Sequence, residues 1–225
     1  MKMLLAGLAV LGLAGALAAP AARAEPALYE TGPAQDSSFV RFVNATGVKV
    51  TVVSASGSAS VPLGTQAASR VSRYYPVAAG RSLEATVLVA GAKLPARVVA
   101  KPGEYVTVAV VAGASGAYEA RLMRESPTDY SAARASLSLS NADARCAKAS
   151  MTGGPKDARI VEQVAPFGIG RRQVNPVKLA VQVHCDGQPA ARLDLSQLEA
   201  GERYSVFLMA GDGGRQAFFV RDATS

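Results

Sequence analysis

Tryptophan is absent from this 225-residue chain, histidine occurs once, cysteine twice, and Tyr and Phe together number only 13 (7 + 6). Each scarcity removes a class of function. A Ser/His/Asp nucleophile system would have to use His184, and no Gly-x-Ser-x-Gly elbow accompanies it. Carboxylates are scattered, with no close Asp/Glu pair in an apolar run, so no glycosidase dyad is visible. There is no phosphate loop and no dinucleotide fingerprint. Cys146 and Cys185 lack the close ligand pairing of a zinc site, so neither a metal nor a cofactor is implied. No basic block exceeds the pair Arg171-Arg172, which argues against nucleic acid as a partner. Sugar-binding modules present aromatic platforms, and the aromatic content here is too low to suggest one. Helical periodicity is missing too: after residue 24 no segment repeats apolar residues at 3.6 spacing for three turns.

What is present begins with a leader. Lys2, an uncharged apolar run over residues 3–19, Pro20 and the small-residue site Ala22-Arg23-Ala24 describe a secretory signal (residues 1–24), cleaved before Glu25. The exported chain then has 201 residues (225 − 24), a formal charge of +5 after loss of Lys2 and Arg23, and no run long enough to span a bilayer. Residues 25–37 read as an extended, Pro/Gly/Ala-rich leader with one sticky point, Ala27-Leu28-Tyr29.

The rest repeats. Gly103-Glu104-Tyr105 opens an apolar run ending Ala112-Gly113, and Gly201-Glu202-Arg203-Tyr204 opens another ending Ala210-Gly211. Stepping by two, one face of the first carries Val106, Val108 and Val110, and one face of the second Tyr204, Val206 and Leu208. Phe42-Val43-Asn44-Ala45 is likewise echoed by Leu139-Ser140-Asn141-Ala142. The offsets, 98 (201 − 103) and 97 (141 − 44), nearly agree. About seven short alternating segments fall in each copy, including 48–52, 70–77, 83–89 and 94–99 in the first and 145–151, 157–164 and 177–185 in the second. The expected fold is all-β: two tandem antiparallel β-sandwich domains, residues 38–124 and 132–225, joined by a polar linker, 125–131.

Two cysteines in an exported chain suggest a disulfide. Alternation over residues 177–185 turns Cys185 inward with Val181 and Val183, and His184 outward. The most distinctive connection is Pro166-Phe-Gly-Ile-Gly-Arg-Arg-Gln-Val-Asn-Pro-Val177. Gly168 and Gly170 suggest backbone conformations that a Cβ would forbid, and Pro176 marks the start of a strand. That leaves Arg171 and Arg172 on an ordered turn, able to fork onto carboxylates.

Gly170-Arg171 followed by Asn175-Pro176-Val177-Lys178, with Ala27-Leu28-Tyr29 upstream and Phe39-Val40-Arg41 leading to Asn44, resembles the AlgF family of periplasmic alginate O-acetylation proteins. The chain departs from that pattern in its two cysteines and its extra Arg172. The resemblance implies a periplasmic, non-catalytic adaptor. A membrane-bound O-acyltransferase passes acetyl groups outward, periplasmic acetyltransferases place them on mannuronate hydroxyls, and the adaptor joins those enzymes. Similar accessory proteins serve other exopolysaccharides, cellulose included, so the polymer stays open. Arg171, Arg172, Asn175, Pro176, Arg41 and Asn44 are the expected partner contacts. Two alternatives stand beside the adaptor. One is a module holding an anionic polysaccharide through Arg41, Arg171 and Arg172; the other is an acetyl carrier or acetyltransferase using a Ser or His184.

Overall fold

The computed structural model describes residues 37–224 apart from Ala114 and Asp129. The expected signal peptide, and the leader up to residue 36, lie outside the described residues. Sixteen strands and one short helix follow in two matching series. The first comprises β1 (Ser37–Ala45), β2 (Val50–Ser54), β3 (Ser60–Leu63), helix α1 (Ala67–Arg70), β4 (Tyr75–Ala78), β5 (Ser82–Val89), β6 (Ala92–Val99), β7 (Tyr105–Ala112) and β8 (Tyr118–Glu125). The second comprises β9 (Ala135–Asn141), β10 (Ala149–Gly153), β11 (Ala158–Val164), β12 (Ile169–Val174), β13 (Lys178–Cys185), β14 (Gln188–Gln197), β15 (Arg203–Gly211) and β16 (Gly214–Arg221).

Each series makes two four-stranded sheets in the same order: β4-β1-β7-β8 with β3-β2-β5-β6, then β12-β9-β15-β16 with β11-β10-β13-β14. The tandem sandwiches are thus all-β and copies of one plan. Pairing is antiparallel except between β1 and β7 and between β9 and β15, which run parallel. Local alternation carries no record of strand direction, so this departure was not legible. The Gly-Glu turns hold Gly103 at φ +71° and Gly201 at φ +79°, a left-handed conformation that costs glycine little.

Three apolar clusters hold the stack. Val40, Val52, Val87, Val98 and Val108 fill the first sandwich. Leu137, Met151, Val183, Val206 and Leu208 fill the second, with Cys146 and Cys185 joined by a disulfide whose Cα atoms are 5.6 Å apart. The third lies between the sandwiches, where Val43, Ala109, Val111 and Met123 meet Phe207, Met209 and Phe218. The sheets containing β1 and β9 are therefore covered on both faces. β7 and β15 are buried along nearly their whole length, and each fully buried Val or Leu contributes about 1.5–3 kcal/mol.

Three expectations are corrected. Residues 70–77 are not one strand: α1 ends at Arg70 and β4 begins only at Tyr75. The 166–177 connection contains β12, paired with β9 from Ile169↔Ser140 to Val174↔Ala135, so Arg171 and Arg172 stand on a strand rather than a turn. Neither Gly168 nor Gly170 has positive φ. Gly170 is needed for space, since a Cβ there would sit 2.4 Å from a Val161 methyl and 3.0 Å from one on Val164.

Candidate functional site

Alternation along β1 sends Val40 and Phe42 into the first core and turns Arg41 toward the second sandwich. Arg41 is 1% exposed. Its Nε donates to Thr107 Oγ1 at 2.9 Å, its register partner on β7. Nη1 donates to Asp222 Oδ1 at 2.7 Å and Nη2 to Ser205 Oγ at 3.0 Å, both from the second sandwich. The guanidinium carbon lies 4.4 Å from the Tyr74 ring centre and 5.1 Å from that of Phe207, so a desolvated cation gains π contacts as well. Ser205 also donates to Asp222 Oδ1 at 2.7 Å.

The complementary half runs the other way. Glu125, ending β8, receives the fork of Arg171: Nε bonds Oε1, and Nη2 reaches Oε2 at 3.1 Å. Arg203 adds Nη2 to the same Oε2 at 3.4 Å, and Arg171 reaches Asp222 Oδ2 at 3.5 Å. Three arginines and two carboxylates leave this network with one net positive charge (3 − 2). Just past Asp222, Ala223 O accepts from Tyr74 N at 2.7 Å, tying the chain's last described residues to the first sandwich.

The groups tune one another. Burial would push the Asp222 carboxyl up, but Arg41 and Arg171 outweigh it and hold it below the usual carboxylate range. Burial works against the charge on Arg41 and on Arg171. Asp222 overcomes it for Arg41, and Glu125 does so for Arg171, so both rise above the ordinary arginine value. Beside them the Tyr105 phenol is pushed up to about 12, first by burial and then by Tyr130.

Two clefts flank this junction. A cleft of ≈ 330 Å³ lies against Arg124, Glu125, Thr128, Arg171, Arg172 and Gln173. A second, of ≈ 480 Å³, lies against Arg41, Ser72, Arg73 and Asp222.

The structure brings Arg41 and Arg171 together through Asp222, but inside the molecule, where neither stands free for a partner. Asn44 is also interior: its amide donates to Val48 O at 2.7 Å and Gly64 O at 2.8 Å, bracing a turn. Its counterpart Asn141 does the same to Cys146 O and Val164 O. Arg41, Asn44 and Arg171, expected as partner contacts, thus spend their polar groups on bonds within the chain. Arg172 alternates to the other face of β12, is exposed, and donates to Arg159 O at 3.3 Å. Asn175 is exposed and Pro176 half-buried, with Pro176 O accepting from Gln197. His184 is half-buried between the buried Val183 and Cys185. Cys146, Cys185 and Asp186 are close enough to resemble a metal cluster, but the disulfide consumes both thiols.

Glu125, Asp222, Arg203 and Ser205 were not singled out from the sequence. The repeat held the signal: 97 positions separate Glu125 from Asp222 (222 − 125), Arg41 from Ser138 (138 − 41) and Tyr74 from Arg171 (171 − 74).

A family model described as alginate O-acetyl transferase AlgF matches residues 8–205. The chain belongs to the AlgF family. AlgF proteins are non-catalytic accessory subunits of periplasmic exopolysaccharide acetylation, and this chain is one of them, exported and all-β. No helix among the described residues is long and apolar enough to cross a membrane. Among curated proteins none matches. The C-terminal domain of AlgF from P. aeruginosa is similar at 20% identity and a TM-score of 0.35, over 40% of this chain and 98% of that one. A family 26 carbohydrate-binding module of Eubacterium rectale Amy13K, solved with maltoheptaose, is similar at 8% identity and a TM-score of 0.27, over 83% and 97%. Likenesses so distant carry no argument about ligand.

Proposed function

We propose that the chain is a non-catalytic adaptor for O-acetylation of an exopolysaccharide, alginate at its mannuronate residues. It links a membrane-bound O-acyltransferase to the periplasmic acetyltransferases. Family membership supports the setting. One observation favours an adaptor over a polyanion-binding module. Two of the three cations such a module would use, Arg41 and Arg171, are committed to Asp222 and Glu125. The contact surface then falls to the outer side of β12 and the turn after it: Arg172, Asn175 and Pro176.

Arg172→Glu is the clean test, because Arg171→Glu would set a carboxylate against Glu125 and Asp222 inside the fold. The variant should be exported and folded, capture less acetyltransferase from periplasm, and support less polymer acetylation. His184→Ala should leave acetylation nearly unchanged. The reverse pattern, or acetyl transfer to oligosaccharide by the purified chain alone, would overturn the adaptor. The cleft beside Arg124 and Arg172 favours the second reading, a polyanion contact. Retarded migration in alginate-containing native gels, lost in Arg124→Glu, would support it.

A further inference from the structure

Each of the four sheets ends in two edge strands, and an edge is a hydrogen-bond ladder with one side unmade. Most of these edges are blunted. Proline interrupts β3 at Pro62, β4 at Pro76, β6 at Pro95 and β14 at Pro189, and β11 is bulged against β10. β8 carries the charged pair Glu119–Arg121. The chain just past β16 is held by the first sandwich, where Ala223 O accepts from Tyr74 N. β12 has neither proline nor bulge. Its counterpart in the first copy is β4, where Pro76 stands 97 residues before Gln173 (173 − 76).

The phase of the ladder decides which groups β12 turns outward. Asn141 N donates to Gly168 O at 3.1 Å, one step beyond the pair Ile169↔Ser140. Bonded and non-bonded pairs alternate along an antiparallel ladder. Gly170 and Arg172 therefore bond to β9, whereas Ile169, opposite Ser140, and Arg171, opposite Ser138, do not. The far side of β9 agrees, since Ser136 N donates to Glu202 O, toward β15. The main-chain N–H and C=O of Ile169 and Arg171 thus point away from the sheet, and no backbone bond meets them among the described residues. Both residues line the ≈ 330 Å³ cleft, with Arg124, Thr128 and Arg172.

Charge at the cleft narrows what could complete the ladder. Arg172 donates to Arg159 O and forms no ion pair among the described residues. Arg124 is bonded to Glu104 but keeps 40% of its side chain exposed. Glu125, the carboxylate lining the cleft, is already taken by Arg171 and Arg203. Outward N–H groups add partial positive charge of their own. The edge also runs directly into Asn175 and Pro176, the contact surface of the adaptor reading.

We propose that a partner protein adds an extended acidic segment to β12 as a fifth strand of its sheet. The segment pairs with the main chain of Ile169 and Arg171 and sets carboxylates against Arg172 and Arg124. This rests on the adaptor reading and supplies its mode of contact: backbone bonds hold the strand, and the arginines select its charge.

The test uses the exported full-length chain and two ten-residue peptides, one alternating Thr and Glu, the other Thr and Lys, with amide exchange followed by NMR. At millimolar concentration the Glu peptide should slow exchange at Ile169 and Arg171 at least fivefold, the Lys peptide should not, and Arg172→Glu should abolish the effect. Unchanged exchange at both amides, or equal protection by the Lys peptide, would overturn the proposal. So would protection by an alginate oligosaccharide alone, or by raising the chain's own concentration without peptide. Ile169→Pro removes one outward N–H at an edge position, where proline is tolerated, and should lower acetyltransferase capture several-fold. Full capture by a folded Ile169→Pro chain would overturn strand addition and leave the adaptor standing. If that variant does not fold, the exchange measurement decides alone. An unaltered chain that binds the Glu peptide but captures no acetyltransferase would overturn the adaptor and keep the strand site.

Discussion

Glu125 and Asp222 occupy equivalent positions at the ends of the last strands of the two sandwiches, and each finds its arginine in the other sandwich: Glu125 at Arg171 and Arg203, Asp222 at Arg41. A buried pair of this kind adds little over an apolar contact of the same shape, but breaking it strands a charge without solvent.

Asp222→Ala leaves Arg41 buried without its carboxylate and should cost about 3–5 kcal/mol in urea unfolding. Arg41→Ala should cost a similar amount. The double variant should cost much less than the sum, because the two residues form one interaction. Additive losses would show that the pair is not coupled.

The pH profile follows from the signs. The Asp222 carboxyl is depressed in the folded chain, so its contribution is present above the ordinary carboxylate range and is lost as pH falls through its lowered value. Asp222→Asn should flatten the acid limb of stability. Tyr105 is raised to about 12, so its contribution is complete below about pH 10 and is lost as pH rises toward 12. Tyr105→Phe should flatten the alkaline limb. Denaturant midpoints across pH measure both.

The Cys146–Cys185 bridge closes a 40-residue loop (146 to 185 inclusive), for which chain entropy gives roughly 4 kcal/mol. Cys146→Ser with Cys185→Ser should lose stability of that order. Thiol labelling of the denatured, unreduced chain should find no free cysteine.

Limited proteolysis should cut the expected linker, 125–131, yet the halves should co-elute in gel filtration, because Met123 and Phe207 lie in one apolar cluster and Glu125 bonds across the boundary. Acid or denaturant should part them. Cleavage confined to either half would move the boundary.

The repeat and its alternating strands were legible because one face of each strand meets a core made by its own copy: Val106, Val108 and Val110 lie where stepping by two placed them. The opposite faces were not. Ala109 and Val111, or Phe207 and Met209, meet residues from the other copy, and no local pattern names that partner. β12 was missed for the same reason. Arg171 and Arg172 look like a charged turn, yet one side chain is buried against Glu125 from the first sandwich. Asn44 looked like a surface motif, although its recurrence as Asn141 was better read as a shared bracing role.

A pair of identical chains facing one another would place the same residue on both sides of its axis. Here Arg41 stands at the position that Ser138 fills in the other copy, and Tyr74 at that of Arg171. Carrying both copies on one chain lets each side keep the half of the contact that the other lacks. The junction is thus a dimer interface free to become lopsided, and either copy expressed alone would meet only its own image, with the wrong residues opposite.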